Sequence, residues 1–312
     1  MTIGFTATAF PPNRGSKPAR EPGVVGISMI ESVGSSDRYI YHYTKPETAI
    51  DFILPNGNLR FSPFRETNDP KESKEWFFEC GTNEGRDLAK YNAVQLSAWL
   101  SSALKDSAQL LCFSRDKEGL SGNHLQDIFL RGFCKPRMWA QYADNHTGIC
   151  LVFDKARFTQ EVESQLGAHG RILKGDVEYY DQGIARKLFD HREQEFMINL
   201  DHLEKVGRAK YVADHFFSHY RRLFFEKMND WKDENEWRYL IHTQGSEPKY
   251  VEYRSSLVGL MFGENTRDDV IEKAMAITKG RGLRYMGLKW RNSSPWYDYG
   301  NLRYLGMSPR PK

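Results

Sequence analysis

The sequence predicts an α+β domain with a central β-sheet, flanking helices and a long helical insertion. Three observations lead to this fold class. Short apolar or alternating runs typical of strands recur along the chain. The stretch from Ala185 to Lys227 instead repeats bulky residues every four positions, as a core-facing helix does. No internal repeat is visible, and the pattern as a whole fits one domain.

Composition indicates a folded protein and leaves its partner open. The chain has 312 residues, 40% of them hydrophobic and 13% aromatic, which is enough for a sizeable core. Its 44 basic and 41 acidic residues give a net charge of +3, which does not single out nucleic acid. Apolar runs such as Leu257 to Phe262 are far shorter than the roughly 20 residues of a membrane helix. No secretory signal is recognised, so we expect a cytoplasmic protein without a membrane partner.

Four cysteines, Cys80, Cys112, Cys134 and Cys150, are scattered along the chain. They lack the short C-x-x-C spacing of many zinc and redox sites, and Cys112 and Cys150 lie inside apolar runs. We therefore expect buried free thiols and no metal.

The beginning of the chain differs in composition from the rest. Residues 1–37 are rich in Pro, Gly and Ser and show little apolar periodicity, so ordering them would bury too little apolar surface. We predict a flexible tail over residues 1–37 and a single domain over residues 38–312.

The domain is predicted to open with a strand, a short helix and a second strand. Tyr39 to Tyr43 is rich in β-forming residues, and Thr44 with Glu47 fits a capping box for the helix that follows. Asn56-Gly57 favours the end of that helix, and a strand is predicted from Leu59 to Ser62. Further strands are predicted at 109–114, 147–154, 237–242, 249–253, 257–262 and near 283–288, and further helices around 139–142 and at 268–277.

The sequence carries none of several common catalytic fingerprints. It has no G-x-x-x-x-G-K-[ST] loop, no strand-bound G-x-G-x-x-G, no G-x-S-x-G elbow and no H-E-x-x-H pair. Kinase, Rossmann dehydrogenase, α/β-hydrolase and zincin activities are therefore not expected.

Two sets of aromatic residues could contact a ligand. His42 lies mid-strand on the same face as Ile40 and Thr44, where it is either a structural histidine or a ligand contact. Trp139 and Tyr142 are three positions apart on one helix face, where they could stack on a flat ligand or form part of the core.

The polar candidates are also open to two interpretations. Glu234, Glu236 and Arg238 alternate on one face at the start of a strand, as a catalytic pair of carboxylates or as a solvated edge with Glu236 paired to Arg238. Asn68 and Asp69 precede Pro70 in a rigid turn or a ligand contact. Ser114 ends a strand, where it could contact a ligand or cap the strand.

Ordered blocks of sequence carry a resemblance to a known family. From about Tyr39 to Leu288 the chain resembles the bacterial family catalogued as domain of unknown function 2971. The opening block is also similar to the first strand of ADP-ribosyltransferases of the histidine–tyrosine–glutamate type. The blocks that carry the resemblance are Tyr41-His42-Tyr43-Thr44, Asn68-Asp69-Pro70-Lys71-Glu72, Cys112-Phe113-Ser114, Met138 to Gly148, and Trp231 to Arg238.

The resemblance implies an ADP-ribosyltransferase-like split central sheet and NAD as substrate. It would make His42 a ligand of the NAD ribose, Tyr142 the ring beside nicotinamide, and Glu236 the catalytic carboxylate. Glu234 would be the first glutamate of an E-x-E pair that helps choose the acceptor. The remaining members of the implied cofactor-binding set are Trp139, Ser114 and Tyr43.

The function expected on this basis is transfer of ADP-ribose to a macromolecule, either a protein or a nucleic acid. A bacterial toxin or an anti-phage defence effector would have such an activity. The alternatives are an NAD glycohydrolase and a non-catalytic module that binds a nucleotide or a partner. A nucleic-acid-binding role through local basic clusters is a further alternative, which the balanced charge does not favour.

Overall fold

A nine-stranded mixed β-sheet with helices on both faces forms the centre of the computed structural model, which describes residues 37–181, 194–243, 245 and 247–298. Its helices are α1 (Leu54–Asn56), α2 (Pro70–Ser73), α3 (Ala93–Asp106), α4 (His124–Asp127), α5 (Pro136–Tyr142), α6 (Lys155–Leu166), α7 (Leu200–Phe224) and α8 (Asp268–Ile277). A π-helical stretch, Thr48–Ile53, runs into α1, and 3₁₀ turns cover Phe64–Glu66, Leu88–Lys90, Ile128–Leu130 and Asn229–Glu234.

The strands follow the chain in fifteen short segments. They are β1 (Tyr39–Thr44), β2 (Asn58–Arg60), β3 (Ser62–Pro63), β4 (Glu79–Gly81), β5 (Ala108–Arg115), β6 (Ile149–Asp154), β7 (Arg171–Asp176), β8 (Glu178–Tyr179), β9 (Met197–Asn199), β10 (Glu226–Lys227), β11 (Glu236–His242), β12 (Tyr250–Glu252), β13 (Leu257–Phe262), β14 (Arg284–Arg291) and β15 (Ser294–Asp298).

The central sheet has the order β15-β14-β13-β6-β1-β5-β11-β7, with β3 beside one end of β5. Its ladders are antiparallel except for the parallel pair of β13 and β14. Three two-stranded ladders join β10 to β8, β12 to β2 and β4 to β9. This arrangement places β1, β5 and β11 side by side in the middle of the fold.

Separate hydrophobic cores lie on the two faces of the central sheet. On one face, Phe113 of β5 and Tyr239 of β11 pack with Phe158 of α6. On the other face, apolar residues of β5 and β11 pack with α3 and α7, while the tyrosines of β1 pack with α5. Since side chains alternate along each strand, neighbouring residues of β1, β5 and β11 belong to different cores.

The structure confirms the mixed α+β class and most predicted elements. The predicted strand at 257–262 and helix at 268–277 coincide with β13 and α8. The long helix expected within Ala185 to Lys227 is α7, which is interrupted at Gly207 (φ 75°, ψ 165°). Residues 185–193 of that predicted helix lie outside the described residues. The same holds for residues 1–36 of the tail that was predicted over residues 1–37.

The predicted capping box is wrong. Thr44 is the last residue of β1, where it pairs with Ile149 of β6, and is thus already engaged in the sheet. Glu47 makes no side-chain cap, and the first turn closes through the Ala49 N–H and the Lys45 carbonyl at 3.0 Å. The end of the same helix was predicted correctly, because Gly57 adopts the left-handed conformation with φ 65°.

All four cysteines are free thiols, and burial separates them into two pairs. Cys134 and Cys150 are buried as expected, whereas Cys80 and Cys112 are partly exposed. In the part of the chain that the structure describes, no helix has the length and apolar character that crossing a membrane requires.

The close approach of β1 to the loop after α5 gives a test of this packing. A Cβ on Gly148 would lie 2.2 Å from the Thr44 carbonyl oxygen and 2.9 Å from the Ala143 Cα. Because both neighbours are backbone atoms, we expect Gly148→Ala to lower the free energy of unfolding by about 1–3 kcal/mol. Urea denaturation measures this change.

Gly81→Ala is the control for that substitution. The nearest atom to a Cβ there is the flexible Cε of Met197, at 3.0 Å. We expect its effect to stay within about 0.5 kcal/mol. Equal stabilities of the Gly148 and Gly81 variants would contradict the tight packing described for β1.

Candidate functional site

The central sheet is interrupted between β1 and β5. Their ladder consists of two residue pairs, Ile40 with Arg115 and Tyr41 with Ser114. Farther along β5, Leu110 pairs with β3 instead. The stretch between His42–Thr44 of β1 and Leu111–Phe113 of β5, which we call the sheet gap, therefore has no described ladder bonds across it.

His42 reaches across the sheet gap. Its Nδ1 lies 3.1 Å from the Cys112 carbonyl oxygen, and its ring packs at 5.5 Å from the ring of Phe113. Burial lowers the pKa of His42, although the hydrogen bond to Cys112 opposes this shift. The imidazole is therefore neutral at pH 7 and links the two strands where backbone bonds do not.

Glu236 begins β11 and lies beside two cations. Its Oε1 accepts from Arg238 Nε at 2.7 Å, and its Oε2 accepts from Arg238 Nη2 at 3.2 Å. Lys227 Nζ lies 2.7 Å from the same Oε2. All three side chains are buried, Arg238 completely. The carboxylate is thus held in a fixed orientation by a bidentate guanidinium and an ammonium.

Glu234 lies just before β11 and shares Lys227 with Glu236. Lys227 Nζ is 2.8 Å from Glu234 Oε2, while the Tyr142 hydroxyl donates to Glu234 Oε1 at 2.7 Å. The Ser114 hydroxyl donates to the Glu234 backbone carbonyl at 2.6 Å. The structure therefore brings Glu234, Glu236, Tyr142 and Ser114 together, as a common site requires.

The turn between the two glutamates explains this convergence. Asn235 has φ 45° and ψ 58°, a left-handed conformation that asparagine tolerates better than most residues. Its side-chain amide donates to the carbonyls of Arg115 and Asp116, both at 3.0 Å. Asn235 thereby ties the turn to the end of β5 and directs both carboxylates toward Lys227.

The two carboxyl groups have opposite pKa shifts. Burial alone would raise the pKa of Glu236, but Arg238 and Lys227 outweigh it and hold the pKa well below its ordinary value. Burial raises the pKa of Glu234, and the nearby Glu236 adds to this effect against the opposing charge of Lys227. The site therefore holds one firmly ionised carboxylate beside one that gains a proton more easily.

His42 lies on the opposite face of the sheet from Glu236. The register pairs Glu236 with Ser114 and Arg238 with Cys112, so these side chains share one face. His42 instead packs on Phe113, on the other face. The two groups nevertheless approach the same residue, because the Cys112 thiol lies close enough to Glu236 to help lower the pKa of that carboxyl and the Cys112 carbonyl bonds His42.

Trp139 and Tyr43 form part of the core beneath α5. Trp139 is fully buried, and its indole N–H donates to the Phe133 carbonyl at 2.8 Å. Its ring meets that of Tyr43 edge-on at 5.1 Å, and the Tyr43 hydroxyl donates to the Gly132 carbonyl at 2.7 Å. Of the two rings expected beside a ligand, the partly exposed Tyr142 is the one in contact with the carboxylates.

Sequence reasoning missed part of the charged cluster. The pairing of Glu236 with Arg238 was predicted, but as a solvated edge, whereas both side chains are buried. Lys227 and Glu72 were not among the predicted site residues, yet both contact the pair's members. One indication of Glu72 was present in the sequence, which is its place in the Asn68-Asp69-Pro70-Lys71-Glu72 block that carries the family resemblance. The interpretation of this block as a rigid turn assigned no role to Glu72.

A separate cleft of about 290 Å³ lies between α7, β4 and β9. Among the residues that line it are His202, Tyr211, Asp214, His215 and His219. None of the predicted site residues borders this cleft.

The different surroundings of Glu236 and Glu234 predict different effects of neutralising them. Glu236→Gln leaves Arg238 and Lys227 buried without their shared anion, so we expect a loss of about 3–5 kcal/mol of unfolding free energy at pH 7. Glu234→Gln keeps an acceptor for Tyr142 and should cost less than about 1 kcal/mol. Denaturant unfolding of the two variants measures both effects.

The pH dependence of these two variants should have opposite signs. The folded-state pKa of Glu236 is depressed, so its stabilisation is complete above the unfolded value of 4.5 and is lost as pH falls below it. The folded-state pKa of Glu234 is raised, so the stability contributed by its neutral form is lost as pH rises through this folded-state pKa. The stability of Glu234→Gln relative to wild type should therefore increase over the same rise in pH. Parallel pH profiles for the two variants would contradict this assignment.

Comparison with known proteins covers only part of this arrangement. No curated protein and no solved structure is significantly similar to the chain. None of these comparisons supports a resemblance to ADP-ribosyltransferases, which stays a prediction. A family model described as "Protein of unknown function (DUF2971)" matches residues 138–239. The matched segment thus carries the DUF2971 family domain. It contains Tyr142, Glu234 and Glu236 but neither His42 nor Glu72.

Proposed function

We propose that the chain is an NAD-dependent ADP-ribosyltransferase whose substrate binds at the sheet gap. The observation that carries this proposal is the buried, ionised Glu236 beside Tyr142 and Glu234, one strand away from His42 at the gap. Tyr142, which donates to Glu234, is partly exposed, so one side of the cluster lies near the protein surface. In this proposal, the gap plays the part of the split in the central sheet that the resemblance to ADP-ribosyltransferases implies.

A fixed carboxylate suits the reaction. When the bond between nicotinamide and ribose breaks, nicotinamide leaves with the bonding electrons and positive charge develops on the ribose. Glu236 stabilises that charge more in the transition state than in the ground state. The ring of Tyr142 lies beside the leaving nicotinamide, and neutral His42 exchanges a hydrogen bond with a ribose hydroxyl.

Transfer is completed by the acceptor. An oxygen or nitrogen of the acceptor bonds to the ribose C1′ and loses its proton. Glu234 receives this proton when it is ionised, a role to which its raised pKa is suited. The acceptor in this proposal is a protein or a nucleic acid, as in a bacterial toxin or an anti-phage effector. Water in place of the acceptor would make the chain an NAD glycohydrolase.

Substrate binding requires a rearrangement of Lys227. Both oxygens of Glu236 are engaged in the present structure, one by Arg238 alone and the other by Arg238 and Lys227. Lys227 already lies 2.8 Å from Glu234, so a shift toward Glu234 frees one oxygen of Glu236 for a ribose hydroxyl. Arg238 can remain in place during this shift.

A second candidate is a non-catalytic module that binds a nucleotide or a partner. The saturation of Glu236 by Arg238 and Lys227 favours it, and so does the position of His42 on the opposite face. Calorimetry with NAD separates the two candidates, because tight binding without turnover, even with cell lysate supplied, supports the module.

We expect the purified protein to release nicotinamide from NAD. Tyr142→Phe keeps the ring and removes the hydrogen bond to Glu234, so it should lower kcat by about 10-fold or less. Glu236→Gln should lower kcat by more than about 100-fold with a smaller change in KM, since it removes transition-state stabilisation. Rates are normalised to the folded fraction of each variant.

Asp116→Asn is the matched control. Asp116 forms a buried ion pair with Arg131 at 2.9 Å, so its loss should also reduce stability while leaving turnover per folded molecule unchanged. If Glu236→Gln and wild type consume NAD equally, Glu236 is not the catalytic carboxylate. Transfer of radiolabel from NAD to lysate macromolecules then separates a transferase from a glycohydrolase.

A further inference from the structure

The segment Asn68–Glu72 has no part in the proposed NAD chemistry, yet its acidic side chains are deeply buried. Asp69 caps α2 by accepting from the Lys71 backbone N–H at 2.9 Å, which agrees with the predicted rigid turn. Glu72, in the first turn of α2, points into the protein and is 1% exposed. A glutamate in a short surface helix is seldom buried without a partner.

The partner of Glu72 is Arg238, on the side of the guanidinium opposite to Glu236. Arg238 Nη1 donates to Glu72 Oε1 at 2.7 Å and also to the Phe224 carbonyl. Arg238 Nε and Nη2 face Glu236. The three side chains thus form a buried row of carboxylate, guanidinium and carboxylate.

Glu72 is itself fixed from behind by a buried lysine. Lys105 Nζ donates to the Glu72 backbone carbonyl at 2.6 Å and to that of Lys74. The same ammonium lies 4.4 Å from the centre of the Trp76 ring. Burial lowers the pKa of Lys105 to about 8. The backbone that carries Glu72 is therefore anchored independently of Arg238.

Stability alone does not explain Glu72. Its Oε2 is buried and has no hydrogen-bond partner in the part of the chain that the structure describes. Leaving such an oxygen unsatisfied costs about 1–3 kcal/mol, and a buried ion pair is often no better for stability than apolar residues of the same volume. An arrangement kept at this cost calls for another role.

We propose that Glu72 is a positioning residue, which orients Glu236 through Arg238. This inference rests on the proposed function, because it concerns the carboxylate assigned to catalysis. With Glu72 in place, the guanidinium is held from both sides and presents Nε and Nη2 to Glu236. Without Glu72, the Phe224 carbonyl is the acceptor that remains for Nη1, and the bidentate contact with Glu236 loosens.

The test compares three variants of Glu72 and one control by nicotinamide release from NAD. Glu72→Ala should lower kcat at least tenfold with KM within twofold, because positioning acts on the reacting group. Glu72→Gln keeps an oxygen acceptor for Arg238 and should retain kcat within about threefold. If Glu72→Ala does not fold, Glu72→Asp, which withdraws the carboxylate by one methylene, should show the tenfold loss.

Glu226→Gln is the control for burial and charge. Glu226 is a buried carboxylate that pairs with Lys71 at 3.3 Å and Arg222 at 3.1 Å and makes no contact with Arg238 or Glu236 among the described bonds. It should leave kcat unchanged. Wild-type kcat in folded Glu72→Ala, or equal losses in the Gln and Ala variants, would overturn the positioning role.

A double-mutant cycle keeps this inference separate from the proposed function. Folding equilibrium constants are measured for Glu72→Ala, Glu236→Ala and the double variant by denaturant unfolding. We expect the folding equilibrium constant of the double variant to differ more than tenfold from the value that the two single variants predict if their effects are independent. Additive effects would overturn the inference even if NAD is consumed. No turnover by wild type, together with strong coupling, would refute the proposed function and leave the orientation of Glu236 by Glu72 intact.

Discussion

The buried guanidinium of Arg238 is the constraint on which the candidate site depends. Removing a charge of this size from water costs several kcal/mol, which its partners offset only if their geometry is nearly ideal. Those partners are Glu236 two residues away, Glu72 from α2 and the carbonyl that ends α7. Three segments distant in sequence must therefore be correctly placed before the burial of the Arg238 charge is compensated. The orientation of Glu236 follows from that requirement, together with the Asn235 turn that precedes β11.

Lys227 links this constraint to the rest of the cluster. Glu72, Glu234 and Glu236 would carry three negative charges when ionised, against the positive charges of Lys227 and Arg238. Burial raises the pKa of Glu234, and Lys227 offsets this only in part because it is shared with Glu236, whose pKa falls because Arg238 lies beside it as well. The difference between the two glutamates therefore arises from their neighbours and not from their position in the E-x-E sequence.

Local pattern predicted several strands of the central sheet, although not β7 or β15, and missed the depth of the site. The alternation in β11 correctly placed Glu236 and Arg238 on one face, and the period of two placed His42 opposite Tyr41 and Tyr43. Burial of the Glu236 pair could not be predicted, because the covering residues come from α2, more than 160 positions earlier. The capping box failed for the same reason: Thr44 fits a helix cap locally, but its pairing in β1 prevails. Long-range contacts decided both cases.

The two-pair ladder between β1 and β5 also affects how the molecule can move. On one side of it lie β1, β6, β13, β14 and β15, and on the other β5, β11 and β7, so the sheet resembles two leaves joined at a narrow hinge. Widening the gap breaks the His42 bridge and few backbone bonds. It also loosens the core against α6, because Phe113 of β5 and Phe153 of β6 lie on different leaves and both pack on Phe158. The Cys112 carbonyl faces the gap, and the N–H of a strand residue points to the same side as its carbonyl, so the Cys112 amide proton is placed to report such breathing by hydrogen exchange.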